Sequence, residues 1–414
     1  MNIIAWLYTF FIRIYVLGIR IAAARNAKAK QWVDGRKTMW DDLALNIGAT
    51  DRTIWFHCAS AGELEQGKPL IEGIKASYPD HKIVISFFSP SGYQAGLKYK
   101  SADVITWLPA DTASNAKRFI EAVHPELAIF IKYEFWYHHL SVAAFRHIPI
   151  LMASAIFREE QVFFKWYGKF FRQILFLFRQ LFVQDEASLQ LLAAHVIPHA
   201  TVSGDTRFDR VKKIAAAHQP VQELQSFFNG SKLIVAGSTW PEDEDLLSTT
   251  LQHHDARLLI IPHEISPSHL QQIIKKFPGA ELMSARKTGG EARVLVVDGY
   301  GLLSRLYFYA DLCYIGGGFN KSGIHNTLEA AVYGKPVIFG PHYQKFREAR
   351  DLVAERAAFP VNDSQQLREI LSDLLNDPDL KEKAGRAAAA YVERNTGATK
   401  IILDYIQANR LLTR

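Results

Sequence analysis

From residue 53 onward the chain is a succession of short, uninterrupted apolar runs separated by helix-patterned segments, and few folds accommodate that rhythm. The first series reads "TIWFHCAS", "KIVISFFS", "DVITWLP", "LAIFIKYE", "IPILMASA", "QLFVQD" and "ATVSGD". A second follows "FFNGSK", with "KLIVAGST", "RLLIIPHE", "ARVLVVDG", "LCYIGGGF" and "PVIFGP". The runs are continuous rather than alternating, as parallel strands covered on both faces require. Helical spacing over residues 62–76, 111–123 and 187–195 separates several of them. Two such series predict an α/β protein with two doubly wound, Rossmann-like domains, and 414 residues at 49% hydrophobic content suffice for two cores. The join is expected between Gly204 and Gln225, where Gly, Pro and charge replace the core pattern. The Ala-rich C-terminus reads as helix with a break near Asn395–Gly397.

Charge narrows the partners. Lys and Arg number 48 against 42 Asp and Glu, a formal charge of +6. That suits an anionic ligand, but without interleaved basic and aromatic residues at regular spacing it implies no nucleic acid. Cys58 and Cys313 lie far apart in apolar runs, which fits buried thiols in a reducing compartment rather than a disulfide framework or zinc site. Neither metal nor cofactor is expected.

The N-terminus, "MNIIAWLYTFFIRIYVLGIRIAAARNAKAK", is apolar but interrupted by Arg13 and Arg20. Its charge-free run, Met1 to Ile12, is short of the roughly 20 residues of a spanning helix, and a signal peptide would place its basic residues before the apolar stretch. Arg13 and Arg20 share a helix face, while Trp6, Phe10, Phe11, Ile14 and Leu17 supply an apolar one. This suits a helix lying in a membrane interface, with Arg25, Lys28, Lys30, Arg36 and Lys37 favouring the cytoplasmic side. A helix docked on the protein's own body is the alternative. A second aromatic, basic stretch, "FREEQVFFKWYGKFFRQILFLFRQLF" at 157–182, admits two readings: one helix packed on the sheet, or an apolar and basic surface for a phosphorylated lipid.

Several loops carry chemistry. In "WFHCASAGELEQ" Ser60 and Glu63 form a capping box, which can also aim a carboxylate beyond a sheet edge. The strongest signal is "YIGGGFNKSGIHNTLEAAVYGKPVIFGP" (314–341). Here Gly316, Gly317 and Gly318 would let backbone approach a ligand. Asn326 as N-cap with Glu329 three residues on would open a helix whose N–H groups cradle phosphate, and Glu329 could accept from a ribose diol. "AGSTWPEDE" (236–244) places Ser238 and Thr239 at a helix start whose acidic residues complement the dipole. "IPHEISPSH" sets His263 just after a buried strand, and "DGYGLLSRLY" supplies Gly301 and an apolar turn to cover a base. All of these would lie on the edge where open α/β sheets bind ligands.

The ordered motifs "FHCASAGE", "KYEFW", "VSGDTRFD", "IPHE", "YIGGGF" and "HNTLEAA" resemble the 3-deoxy-D-manno-octulosonic acid (Kdo) transferase family, from the N-terminus to near residue 350. The resemblance implies a B-type glycosyltransferase (GT-B) fold, two Rossmann-like domains facing a cleft, behind an apolar N-terminal helix. It divides the chain into a membrane-associated helix (1–30), an acceptor-binding domain (31–210) and a CMP-sugar-binding domain (211–414) whose last helix packs back on the first. It implies CMP-Kdo as donor, a lipid A precursor of the lipid IVA type as acceptor, and attachment to the cytoplasmic face of the inner membrane, in lipopolysaccharide synthesis. Carried over by motif, Glu63 is the general base of an inverting transfer and Arg207 stabilises the transition state. Pro262, His263, Gly301, Leu302, Leu303, Gly316, Gly317, Asn326, Thr327, Leu328 and Glu329 contact CMP. Lys132 stands where the family often has a carboxylate, which moves any supporting role toward Glu134, and His263 stands where arginine is common. A UDP-sugar-dependent transferase, hydrolase or epimerase of the same fold, and a non-catalytic nucleotide-sugar sensor, are the rival readings.

Overall fold

The computed structural model describes residues 3–221, 224, 227, 230–286 and 292–413. The upper end of the expected join, Gln225, lies outside them. The chain divides into two compact units, Met1–Arg210 with Gly397–Arg414, and Val211–Thr396.

The first unit is built on seven parallel strands: β1 (Thr53–Cys58), β2 (Lys82–Phe87), β3 (Val104–Trp107), β4 (Pro125–Ile131), β5 (Ile150–Ala155), β6 (Gln180–Val183) and β7 (Ala200–Val202). Their order is β3-β2-β1-β4-β5-β6-β7, so the winding reverses between β1 and β4. Successive residues of one strand enter different cores. Ile54, Phe56 and Cys58 join one with Ile71 and Ile85, while Trp55 joins the other with Val84 and Phe130. Burial on both faces is why the runs are continuous.

The second unit repeats the plan with β8 (Leu233–Thr239), β9 (Arg257–Pro262), β10 (Glu281–Leu282), β11 (Val294–Val296), β12 (Leu312–Ile315), β13 (Val337–Phe339) and β14 (Ala358–Pro360). The order is β10-β11-β9-β8-β12-β13-β14, again parallel, reversing between β8 and β12. The edge strands β10 and β14 hold two and three residues, too few to show a pattern in the sequence. Beyond Gly397, in the left-handed region at φ 114°, the helix Ala398–Ala408 returns to the first unit. Ile402 and Ile406 enter the core of Ile71 and Ile74, and the Asp209 carboxylate accepts the N–H groups of Gly397 and Thr399 at 2.6 and 2.7 Å.

Three helices precede β1: α1 (Ile3–Ala22), α2 (Ala27–Asp34) and α3 (Met39–Asn46). By length and composition Ile4–Ala22 would suffice to cross a membrane, because the helix continues past the charge at Arg13. Midway along α1, however, the Tyr8 hydroxyl donates to buried Asp111 at 2.6 Å, and the Thr9 hydroxyl lies 2.7 Å from His138 Nε2. Ala5 is buried on the same side, whereas Trp6, Phe10, Phe11, Ile14, Leu17 and Ile21 are exposed.

The reading of 157–182 as one helix is corrected. The segment is a 3-10 turn (Val162–Phe164), a seven-residue helix Lys169–Leu175, and then β6. Gly168 breaks it, because a Cβ there would lie 1.8 Å from the Val162 carbonyl oxygen. Phe163, Phe170, Ile174, Leu175 and Phe178 pack inward and Trp166 is left 92% exposed. The basic residues therefore do not share one helical face.

Candidate active site

At the carboxyl end of β1 the chain turns through Ala59 and Ser60 into α4 (Ala61–Ser77). The capping box is present: the Ser60 hydroxyl accepts the Glu63 N–H, and Glu63 Oε2 accepts the Ser60 N–H at 3.0 Å. This fixes the Glu63 carboxylate at the switch point through one oxygen. Burial, reinforced by the charge of Glu134, holds the Glu63 carboxyl above the ordinary glutamate value, although His57 and then the Ser60 and Ala59 N–H groups pull it back.

Glu134 and Lys132 follow β4, the strand across the reversal. Lys132 has φ 65°, a left-handed conformation that turns the chain sharply off the strand end, and its ammonium lies 5.9 Å from the Tyr133 ring centroid. Glu134 Oε2 lies 3.4 Å from Nε2 of His57, a fully buried residue of β1. The same Nε2 is 3.1 Å from Nε1 of Trp136, and His57 Nδ1 is 2.9 Å from Ser86 Oγ. An indole nitrogen can only donate, so Nε2 carries the lone pair and the ring proton sits on Nδ1, toward Ser86.

Arg207 opens the helix Thr206–Ala216. Its Nε and Nη2 both lie 2.8 Å from Oδ2 of buried Asp205, whose Oδ1 accepts from Gln66 of α4 at 2.6 Å. Thr206 adds a bond to the Gln66 carbonyl at 2.5 Å. The guanidinium is thus indexed to the helix that carries Glu63. Glu63, Asp205, Arg207 and Arg158 all act on the Tyr133 hydroxyl, so these charges share one neighbourhood.

The equivalent edge of the second sheet is built differently. Its three glycines serve the protein's own backbone: a Cβ on Gly316 would lie 2.2 Å from the Ser238 carbonyl oxygen, one on Gly317 2.6 Å from Gly323 O, and one on Gly318 2.4 Å from Gly340 N. Space for a ligand is therefore not what demands them. Asp243 locks this turn, accepting from Gly317 N–H (2.8 Å), Trp240 N–H (2.9 Å) and the Tyr314 hydroxyl (2.8 Å). Burial still raises its carboxyl above the usual range. Glu244, fully buried, takes Thr239 and His269 as partners. Neither acid is a generic dipole residue.

Pro262 ends β9, and His263 follows with its N–H on the Thr239 carbonyl at 3.0 Å. The His263 ring stacks on both Trp240 (4.8 Å between centroids) and His325 (4.4 Å). Trp240 Nε1 donates to His325 Nε2 at 3.1 Å. Burial, with His263 nearby, pushes His325 down to about 4, so the stack is neutral there at physiological pH. Gly301, at φ 86°, turns the chain into the short helix Leu303–Leu306, and Leu302 and Leu303 are half-buried. Leu303 lies against Gly237 on β8.

The expected capping box at Asn326 is corrected. The helix it was to open is only four residues, Leu328–Ala331, with Thr327 as N-cap. Asn326 Oδ1 accepts the Leu328 N–H at 3.1 Å, and its amide donates to Glu329 Oε1 at 3.0 Å. Glu329 is thus held by a side chain rather than by the cap backbone, and so short a helix has little dipole to offer a phosphate.

In the first unit, then, Glu63 is near enough to Glu134 to feel its charge and Arg207 shares the surroundings of Tyr133, while Lys132 turns the chain off the end of β4. In the second, Pro262, His263, Gly301, Leu302, Leu303, Gly316, Gly317, Asn326, Thr327, Leu328 and Glu329 lie at the end of β9 and on the turns and short helices that follow β9, β11 and β12. Sequence reasoning passed over His57, Trp136, Asp205, Trp240, Asp243 and His325. All six lie within motifs quoted for other residues, and that neighbourhood is the signal that could have flagged them.

Comparison with known proteins agrees with this architecture. The family model described as 3-deoxy-D-manno-octulosonic-acid transferase (kdotransferase) matches residues 27–210. The 3-deoxy-D-manno-octulosonic acid transferase of Rickettsia typhi is 27% identical over 405 residues, covering 94% of this chain and 86% of its own. Among solved structures, a putative UDP-N-acetylglucosamine 2-epimerase from Listeria monocytogenes superposes with a TM-score of 0.60 at 13% identity, over 88% of this chain and 98% of that one. MurG from Acinetobacter baumannii does so with a TM-score of 0.52 at 13% identity, over 86% and 99%. The structural matches identify the GT-B fold, and the sequence matches go further: over most of its length the chain is similar to 3-deoxy-D-manno-octulosonic acid transferases, which are glycosyltransferases.

Proposed function

We propose that the protein moves Kdo from CMP-Kdo to a hydroxyl of a lipid A precursor of the lipid IVA type, with inversion, Glu63 acting as general base. The observation that carries this reading is a carboxylate fixed at a sheet's switch point with its basicity raised by burial and a neighbouring acid. In the step, Glu63 takes the acceptor hydroxyl proton as that oxygen bonds to the anomeric carbon. The bond from that carbon to the CMP phosphate oxygen breaks and CMP leaves with the electron pair. Attack opposite the leaving group inverts the centre. Arg207, oriented by Asp205, offsets the charge that develops on phosphate. The Trp240–His263–His325 stack and the loops of Gly301–Leu303 and Asn326–Glu329 hold the nucleotide.

α1 is read as lying along the cytoplasmic face of the inner membrane rather than crossing it. Tyr8 and Thr9, in its first half, are bonded into the α/β body, and a helix tied there cannot pass through a bilayer while its outer face stays apolar. The test is to supply CMP-Kdo and the lipid acceptor and to follow CMP release and Kdo-lipid formation, reading the anomeric configuration of the product. Transfer with inversion is expected, with no turnover of UDP-sugars. Turnover of a UDP-sugar alone would replace the reading by the epimerase-like one.

A further inference from the structure

A cavity of about 390 Å³ opens where α1, α2 and α3 meet the turn after β3. Val16 and Arg20 line it from α1, with Trp32, Arg36 and Trp40 on other walls, and no Asp or Glu among its lining residues. Arg36 is held in an unusual way. Its Nε donates to Leu108 O at 2.9 Å, Nη1 to Trp32 O at 2.9 Å and Nη2 to Phe88 O at 3.2 Å, and the guanidinium carbon sits 3.7 Å from the Trp32 ring centroid. Three carbonyls fix the cation without supplying a full negative charge, and two of its five N–H donors are left over. Burial lowers its pKa only to about 9, so the charge persists at neutral pH. Among the described residues no carboxylate forms an ion pair with Arg36 or with Arg20; Lys37, also on the rim, is paired with Asp34. A pre-fixed, uncompensated cation in an aromatic-walled cavity is a site for an anion.

We propose that this cavity binds the phosphate of an anionic phospholipid headgroup, with Arg20 and Arg36 on the phosphate oxygens and Trp32 and Trp40 flanking the headgroup. A lipid is favoured over free phosphate by the helix that carries Arg20. Ile14, Leu17 and Ile21 are exposed beside it and provide a surface for the acyl chains attached to that phosphate. The site rests on the reading of α1 as an interfacial helix, and adds to it a defined headgroup pocket.

The full-length chain is sedimented with phosphatidylcholine vesicles, with and without phosphatidylglycerol, at fixed ionic strength. Wild type should bind both and gain on the anionic ones. Arg13→Gln removes the same charge from the same helix outside the cavity and should lose about fivefold, the worth of one basic residue near a charged surface. Arg20→Gln should lose most of the gain, tenfold or more. Arg36→Lys, checked for an unchanged melting temperature, should lose it as well despite keeping its charge. Equal losses for Arg13→Gln and Arg20→Gln would overturn the pocket and leave general electrostatics. Tight binding of inorganic phosphate without vesicles would reassign it to a soluble anion. Failure of wild type to bind either vesicle would overturn the interfacial reading of α1 itself.

Discussion

The carboxyl edges of the two sheets share a topology and differ in what was placed on them. At the first, charged side chains converge: Glu63 on its cap, Glu134 beside His57, and Arg207 on Asp205. At the second, backbone packs on backbone at Gly316–Gly318, a buried aspartate locks the turn, and a stack of rings contains a neutral histidine. On the proposed reading one edge accepts a proton and meets a developing charge, and the other holds a shape. That reading divides a fold used twice in one chain between chemistry and recognition by a few residues at equivalent strand ends.

That division can be broken or sharpened by mutation. Glu63→Gln should cause the largest change. Glutamine can still accept the Ser60 N–H, so the cap stays while the base is lost, and turnover should fall by about 10² to 10⁴ with CMP binding and melting temperature unchanged. Glu63→Ala should lose as much activity and also about 1 kcal/mol of stability from the cap. On the other edge Gly316→Ala should show the reverse pattern. Its methyl group has no room against Ser238, so about 1–3 kcal/mol of stability is lost, seen as a lower melting temperature. Trp136→Phe should cost less, about 1 kcal/mol. Smallest of all, CMP-Kdo affinity should be flat from about pH 5.5 to about 8 as far as His325 is concerned, since that ring titrates well below this window. Calorimetric titration across the range checks it.

Much of this frame was legible in the sequence for a single physical reason. Strands buried on both faces leave continuous apolar runs, and a capping box leaves a spaced pair such as Ser60 and Glu63. What stayed hidden depends on distant contacts. The two- and three-residue strands β10 and β14 have no period to detect. The break at Gly168 is set by a carbonyl six residues earlier, not by local propensity. "GGG" looks alike whether it admits a ligand or a neighbouring loop, and here Ser238, Gly323 and Gly340 decide. The cap of the Leu328 helix turned on Asn326 spending its amide on Glu329, which spacing alone does not reveal. His57 reads as one more residue in an apolar strand until Trp136, 79 positions away, is seen to donate to it.

The most direct test is the pH dependence of single-turnover Kdo transfer at saturating CMP-Kdo, for wild type and Glu63→Gln. Because the Glu63 carboxyl is held above its ordinary value, the wild-type rate should fall as pH drops through a correspondingly raised pKa, as the base is protonated and lost. The residual rate of Glu63→Gln should have no such limb. The same acid limb in both proteins would place the titrating base elsewhere and reduce Glu63 to a helix cap.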